Sequence, residues 1–218
     1  MAVKKIIFLL LSVTVSGCGQ TENPVSEIRH QTESGIAKSY LSDGSIVFQN
    51  SQSAQCKAIE LATHSPYTHC GIIFHKENKC FVLEAVQPVK YTLLDDWTER
   101  GKNKHYIIKR MKDTTFLDKT AILKMMACGE KYIGKDYDLY FGWSDERIYC
   151  SELVWKIYKE VLGTEIGKLK QLKDFDLSSK EGKKNMKERY GKNIPYEEKV
   201  ISPADIFNSE LLETAFEN

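Results

Sequence analysis

Arg147-Ile148-Tyr149-Cys150-Ser151-Glu152-Leu153-Val154-Trp155-Lys156-Ile157-Tyr158 reads as the entrance to a helix. Leu153, Val154, Ile157 and Val161 recur at helical spacing and form one apolar face. Cys150 begins that face in the first turn, and Ser144 or Asp145 upstream are the candidates to end the loop and help start the helix. A thiol at that position feels the partial positive charge of unpaired backbone N–H groups, which favours thiolate. A buried structural cysteine is the ordinary alternative, and this stretch alone favours it. The rest of the chain changes the balance by supplying a histidine and a carboxylate.

The apolar content (42% of 218 residues) and mixed charges are those of one globular domain with a leader, without internal repeats. A formal charge of +1 gives no strong pull toward nucleic acid or an anionic membrane. Residues 1–17 read as a targeting segment, with Lys4 and Lys5 ahead of an apolar run, Ile6 to Val15, too short to span a bilayer comfortably. Val15-Ser16-Gly17-Cys18 resembles a lipobox, so Cys18 is the expected site of lipidation and the new N-terminus. Residues 18–40 then form a lipidated N-terminus and polar tether, and 41–218 the domain. This predicts an exported lipoprotein held on the bacterial envelope, on the periplasmic side where there are two membranes. Five cysteines follow Cys18, an odd number, so at least one is unpaired in the monomer.

Along the domain, Leu41-Ser42-Asp43-Gly44 is a turn and Ser45 to Gln49 a short strand. A helix carrying Ala54, Ala58, Ile59, Leu61 and Ala62 is stopped by Pro66. His69 to His75 and Cys80 to Val86 are strands of a hairpin, and Tyr106 to Arg110 is another strand. Phe116 to Ile133 traces a second helix. The loop from Gly134 to Arg147 is rich in aromatics and either covers the core or walls a cleft beside Cys150. Charged residues dominate Lys168 to Lys199, a solvated excursion or else a border of the cleft with Arg189 and Tyr190 toward a charged substrate end.

The hairpin geometry follows from strand alternation. With Lys76 to Lys79 as the loop, His75 faces Cys80, Ile73 faces Val82 and Gly71 faces Glu84. His69 is then the diagonal neighbour of Glu84, at about 7–8 Å between backbones and within reach of two long side chains. Gly71 between them removes an intruding side chain. A carboxylate there fixes the imidazole tautomer and stabilises its charged form. Cys70 points to the opposite face from His69, which disfavours a zinc site built from His69, Cys70, His75 and Cys80 and a Cys70–Cys80 bridge; no metal or cofactor is expected. His30, His64, His75 and His105 read as surface residues, and Glu60 and Glu152 as solvent-facing.

Cys150, His69 and Glu84 make a nucleophile, a base and an orienter. In space this is a papain arrangement; in sequence it is permuted. Asp43-Gly44-Ser45-Ile46-Val47-Phe48, Thr63 to Ile73, Leu83-Glu84-Ala85-Val86 and Tyr149-Cys150-Ser151-Glu152-Leu153-Val154 resemble the YiiX-type family of permuted NlpC-like cysteine hydrolases. The resemblance implies an α+β, circularly permuted papain-like (NlpC-type) fold, its small antiparallel sheet packed against the helix of the nucleophilic cysteine. It implies Cys150, His69 and Glu84 as catalytic residues, with Tyr137 and Tyr67 as substrate-binding candidates. Cys70 departs from the small apolar residue expected after the histidine, a change expected to affect packing alone. The implied reaction is acyl transfer through a thioester, with the Cys150 N–H facing the oxyanion. Cell-wall-type peptides are the first expected substrate and acyl lipids the second; a non-catalytic envelope lipoprotein that binds a ligand is the third reading. Tyr140-Phe141-Gly142-Trp143 suits either substrate.

Overall fold

The computed structural model describes residues 41–218 other than Ser53; the leader, Cys18, the tether and His30 lie outside these residues. Gly44, at φ +81°, turns the chain into strand β1 (Ile46–Ser51). Helix α1 (Ala54–Thr63) stops at His64, whose φ of +52° takes the chain out of helical geometry ahead of Pro66. Strands β2 (His69–Lys76) and β3 (Lys79–Glu84) are joined through Glu77 and Asn78, both at positive φ, the tight turn whose twist matches its strands. Strand β4 (Lys90–Leu93), helix α2 (Leu94–Thr98) and strand β5 (Gly101–Met111) follow.

Helix α3 (Lys119–Glu130) begins later than its apolar stripe predicts, because the Asp118 carboxylate caps it by accepting the Ala121 N–H at 2.7 Å. Thr114–Phe116 upstream is a separate 3-10 turn. Strands β6 (Asp136–Tyr137) and β7 (Arg147–Ile148) pair in parallel and lead into α4 (Cys150–Leu162). The remainder holds β8 (Lys170–Gln171), α5 (Lys180–Tyr190), β9 (Lys199–Val200), α6 (Pro203–Phe207) and β10 (Leu212–Glu217). Ser202 caps α6 and Pro203 opens it, as the sequence predicts.

The sheet runs β10-β5-β1-β2-β3-β4, every pair antiparallel. Both of its faces are covered, so its strands carry apolar residues in both phases. Ile46, Phe48, Cys70, Ile72, Phe74 and Leu83 pack into the larger core with Leu153, Val154, Ile157 and Tyr158 of α4. Val47, Ile73, Val82 and Ile108 point the other way and are closed over by Leu94 and Trp97 of α2. Helix α4 lies on β2 and α3, and α5 lies on α1. The charged segment is therefore a layer of the domain. Gly182 and Met186 of α5 are buried while its lysines face water.

Candidate active site

The register of the hairpin is the one strand alternation predicts: His75 pairs with Cys80, Ile73 with Val82 and Ile72 with Leu83. His69 is the first residue of β2 and Glu84 the last of β3, so both stand at the same end of the sheet. His69 Nε2 and Glu84 Oε2 are 2.6 Å apart in a buried hydrogen bond. The other carboxylate oxygen accepts from the Thr92 hydroxyl (2.6 Å) and from Arg100. Trp97 stacks on the imidazole with centroids 5.8 Å apart. With Nε2 committed to Glu84, Nδ1 is the ring nitrogen left for the nucleophile.

Cys150 occupies the first turn of α4 and is almost wholly buried. Leu153 N–H closes that turn onto the Tyr149 carbonyl at 3.0 Å. The N–H groups of Cys150 and Ser151 therefore have no helical acceptor and remain as donors. The helix entrance is pinned from two sides. Tyr149 Oη accepts the Ile201 N–H (3.1 Å), and the Ser151 hydroxyl donates to the Ile201 carbonyl (2.7 Å). Neither Ser144 nor Asp145 starts the helix. Instead Glu152 accepts the Tyr149 N–H at 3.3 Å, and Lys156 draws Ser144 and Asp145 in by bonding their oxygens. Glu152 is thus buried rather than solvent-facing, and burial pushes its carboxyl up to about 8 despite the Lys156 ammonium 2.8 Å away.

The helix meets the sheet on the Cys70 face, at the strand end where His69 reaches the same sulfur. The Cys70 thiol and backbone N–H and the His69 ring are the groups that favour the charged form of Cys150. Together they hold Cys150 well below an ordinary thiol; the Cys70 thiol contributes most, followed by His69, against opposing burial. Burial works against the His69 charge, but hydrogen bonds to Cys150 and Glu84 lift it to about 10. Burial also opposes ionisation of Glu84, and its bonds to His69 and Thr92 with the field of Arg100 still bring it down to about 2. These influences favour a buried thiolate, imidazolium and carboxylate in sequence. Cys70, expected to affect packing alone, is a direct neighbour of the sulfur.

Tyr137 lines the cleft beside Cys150, and Gln55 Nε2 reaches its phenol oxygen at 3.4 Å. Tyr67 does not reach the cleft: it stacks on Phe207 with centroids 4.1 Å apart and meets Phe48 edge-on. The cleft beside Cys150 is walled by Ala58, Ile59, Tyr137, Phe141, Leu172, Phe175, Leu177, Met186, Val200 and Ile201, with Gln55, Asn185 and Arg189 among its few polar residues. The aromatic loop plays both roles anticipated for it. Trp143 packs on Trp155 (5.3 Å), whereas Phe141 packs on Tyr149 (5.2 Å) and lines the cleft.

Residues the sequence reading did not single out are Thr92, Trp97, Arg100 and Gln55. Thr92 was reachable by extending strand alternation across β4, since it pairs with Val82 and shares the phase of Glu84. Trp97 and Arg100 carry no local signal; the fold of α2 over the sheet brings them in. His64 pairs with Asp176 and is largely exposed, His105 is half-buried near Glu217, and His75 is half-buried against Asp43 at 2.8 Å.

The chain matches, over residues 40–216, the family of permuted papain-like amidases YaeF/YiiX, C92. It is 46% identical to protein YiiX of Escherichia coli K12 over 171 residues, 78% of this chain and 84% of that protein. It also resembles a solved structure, described as the metalloprotein YiiX from Escherichia coli O157:H7, at TM-score 0.78 and 45% identity, covering 81% of this chain and 97% of that one. Among the described residues of the present chain, no three or more His, Cys, Asp or Glu side chains are grouped to hold a metal ion. The family, the fold and the order of the motifs agree, and the chain belongs to the permuted papain-like cysteine amidases of the YaeF/YiiX, C92 family.

Proposed function

We propose that the protein hydrolyses an amide or ester bond through Cys150, His69 and Glu84, and that the acyl part of its substrate is an apolar chain. Cys150 attacks the carbonyl as thiolate, and the C=O pair moves onto oxygen. The Cys150 N–H at the start of α4 is aimed at that oxyanion, a role in which one donor is worth on the order of 3 kcal/mol of barrier. On this reading the phenol of Tyr137, which lines the same cleft, supplies a second donor. Imidazolium His69 gives its proton to the leaving nitrogen or oxygen as the C–N or C–O bond breaks, leaving a thioester on Cys150. Water, deprotonated by His69, then attacks the thioester and releases the acid. Glu84 keeps the ring oriented and balances its charge throughout.

The apolar wall of the cleft carries the substrate reading. Along the apolar wall the hydrogen-bonding groups of a cell-wall-type peptide would lose water without recovering partners, whereas an alkyl chain gains about 25 cal/mol per Å² buried. On this reading acyl lipids stand ahead of cell-wall-type peptides, the reverse of the order expected from sequence. The lipobox at Cys18 supports placement of the enzyme on the envelope surface, next to acyl lipids.

Purified protein incubated separately with an acyl phospholipid and with cell-wall peptides tests this directly. The expected result is release of fatty acid and, by intact mass, an acyl adduct that is absent in Cys150→Ala. Products from the peptides alone would overturn the acyl reading and restore the peptidase. No adduct and no product from either would reduce the site to ligand binding.

A further inference from the structure

Helix α5 presents Gly182, Asn185, Met186 and Arg189 to the same cleft as Cys150, at the spacing of one helix face. Gly182 and Met186 are buried and belong with the apolar wall. Arg189 does not. Its guanidinium is half-buried, 5.1 Å above the ring of Phe141, and no carboxylate pairs with it among the described residues. Asp138, whose field it feels, already has its two oxygens bound to the N–H groups of Tyr140 and Gly142, both at 2.8 Å. The other cations of α5 are differently placed: Lys180, Lys183, Lys184 and Lys187 all stand in solvent. A guanidinium cannot shed its charge when it is desolvated, so its burial beside an apolar cleft favours an incoming anion.

We infer that Arg189 is an anion-recognition site of the cleft, and that the ligand is an amphiphile whose apolar chain lies along the α1 and α5 wall and whose carboxylate or phosphate is held by Arg189. This rests on the reading of the cleft as an apolar acyl site and sharpens it: the preferred substrate or product is itself an anion. The planar fork of the guanidinium matches either group through two parallel N–H donors. The ring of Phe141 beneath it keeps that fork in place and leaves its donors to the ligand.

The test is calorimetric titration of the full protein with three probes of one chain length, octanoate, octyl phosphate and 1-octanol, repeated with Arg189→Gln and Arg189→Lys. Wild type is expected to bind an anionic probe at least about tenfold more tightly than octanol, the scale of a hydrogen bond to a charged group. Arg189→Gln should abolish that preference while leaving octanol binding unchanged, which also shows that the cleft is intact. Arg189→Lys should retain part of the preference. Whichever of octanoate and octyl phosphate binds more tightly identifies the head group. Anionic binding unaffected by Arg189→Gln would overturn the anion site alone. Octanol without affinity for wild type would instead overturn the apolar-acyl reading, a distinct outcome.

Discussion

Cys150 has neighbours of two kinds that favour its charged form. His69 gives it a counter-charge, and Cys70, one residue further along β2 on the opposite face, stabilises the thiolate through its thiol and backbone N–H. The contributions are separable because Cys70→Ala removes the thiol donor and keeps the backbone one. Alkylation of Cys150 by iodoacetamide, followed against pH and mapped by mass spectrometry, should titrate well below the ordinary cysteine value of about 8.5. His69→Ala should move that titration up, and Cys70→Ala should move it up independently. A Cys150 that ignores the loss of His69 would be the structural cysteine that its own stretch of sequence suggested. The role of Cys70 was not legible, because strand alternation states which face a side chain takes and not which helix arrives there.

At the scale of elements, the β2–β3 hairpin does most of the positioning. Its register brings His69 and Glu84 to one sheet end, and Gly71 keeps the space between them clear. A Cβ on Gly71 would lie 2.4 Å from Val82 Cγ1 and 2.7 Å from the Leu83 carbonyl oxygen, distances that demand a backbone shift. Gly71→Ala should destabilise the domain by about 1–3 kcal/mol. For a domain of this size each kcal/mol lowers Tm by about 2–4 °C, read by thermal denaturation. An unchanged Tm would show that the hairpin opens at no cost. This register was legible from sequence because a short polar loop, Lys76 to Lys79, sets His75 opposite Cys80 and alternation fixes faces. In the structure Lys76 and Lys79 also pair and the turn is Glu77 and Asn78 alone, with the same register. The start of α4 was less so. Glu152 reads as solvent-facing from helical periodicity, yet the fold buries it as the acceptor of the Tyr149 N–H.

For the whole molecule, the buried charge chain couples stability to pH. Glu84 is lowered from 4.5 to about 2 in the folded protein, so the unfolded chain takes up the proton first as acid is added. Its stabilisation is fully present above about 4.5 and is lost as pH falls through about 2. The shift corresponds to on the order of 3 kcal/mol at neutral pH. Urea denaturation at a series of acidic pH values should show this limb in wild type and a flatter one in Glu84→Gln. Coincident limbs would mean that Arg100 and His69 do not hold the carboxylate in its charged form. The proposed attachment to the envelope is tested on the whole chain: Cys18→Ser should move the protein from the membrane fraction to the soluble one on cell fractionation.

The sequence by itself determined the strands of the hairpin, the phase of His69 and Glu84, the helix that opens at Cys150 and the family to which these motifs belong. Those features depend on neighbours in the chain or on one tight turn, where local geometry leaves few choices. Only the tertiary structure decided which face of the sheet the Cys150 helix covers, and hence that Cys70 lies beside Cys150. It likewise brought Thr92 and Arg100 to Glu84, set Tyr67 against Phe207 and away from the cleft, and made the charged stretch from Lys168 to Lys199 a wall of the site. Each of these joins residues far apart in the chain, and their meeting depends on how layers pack over a shared core, which charge pattern and periodicity do not encode.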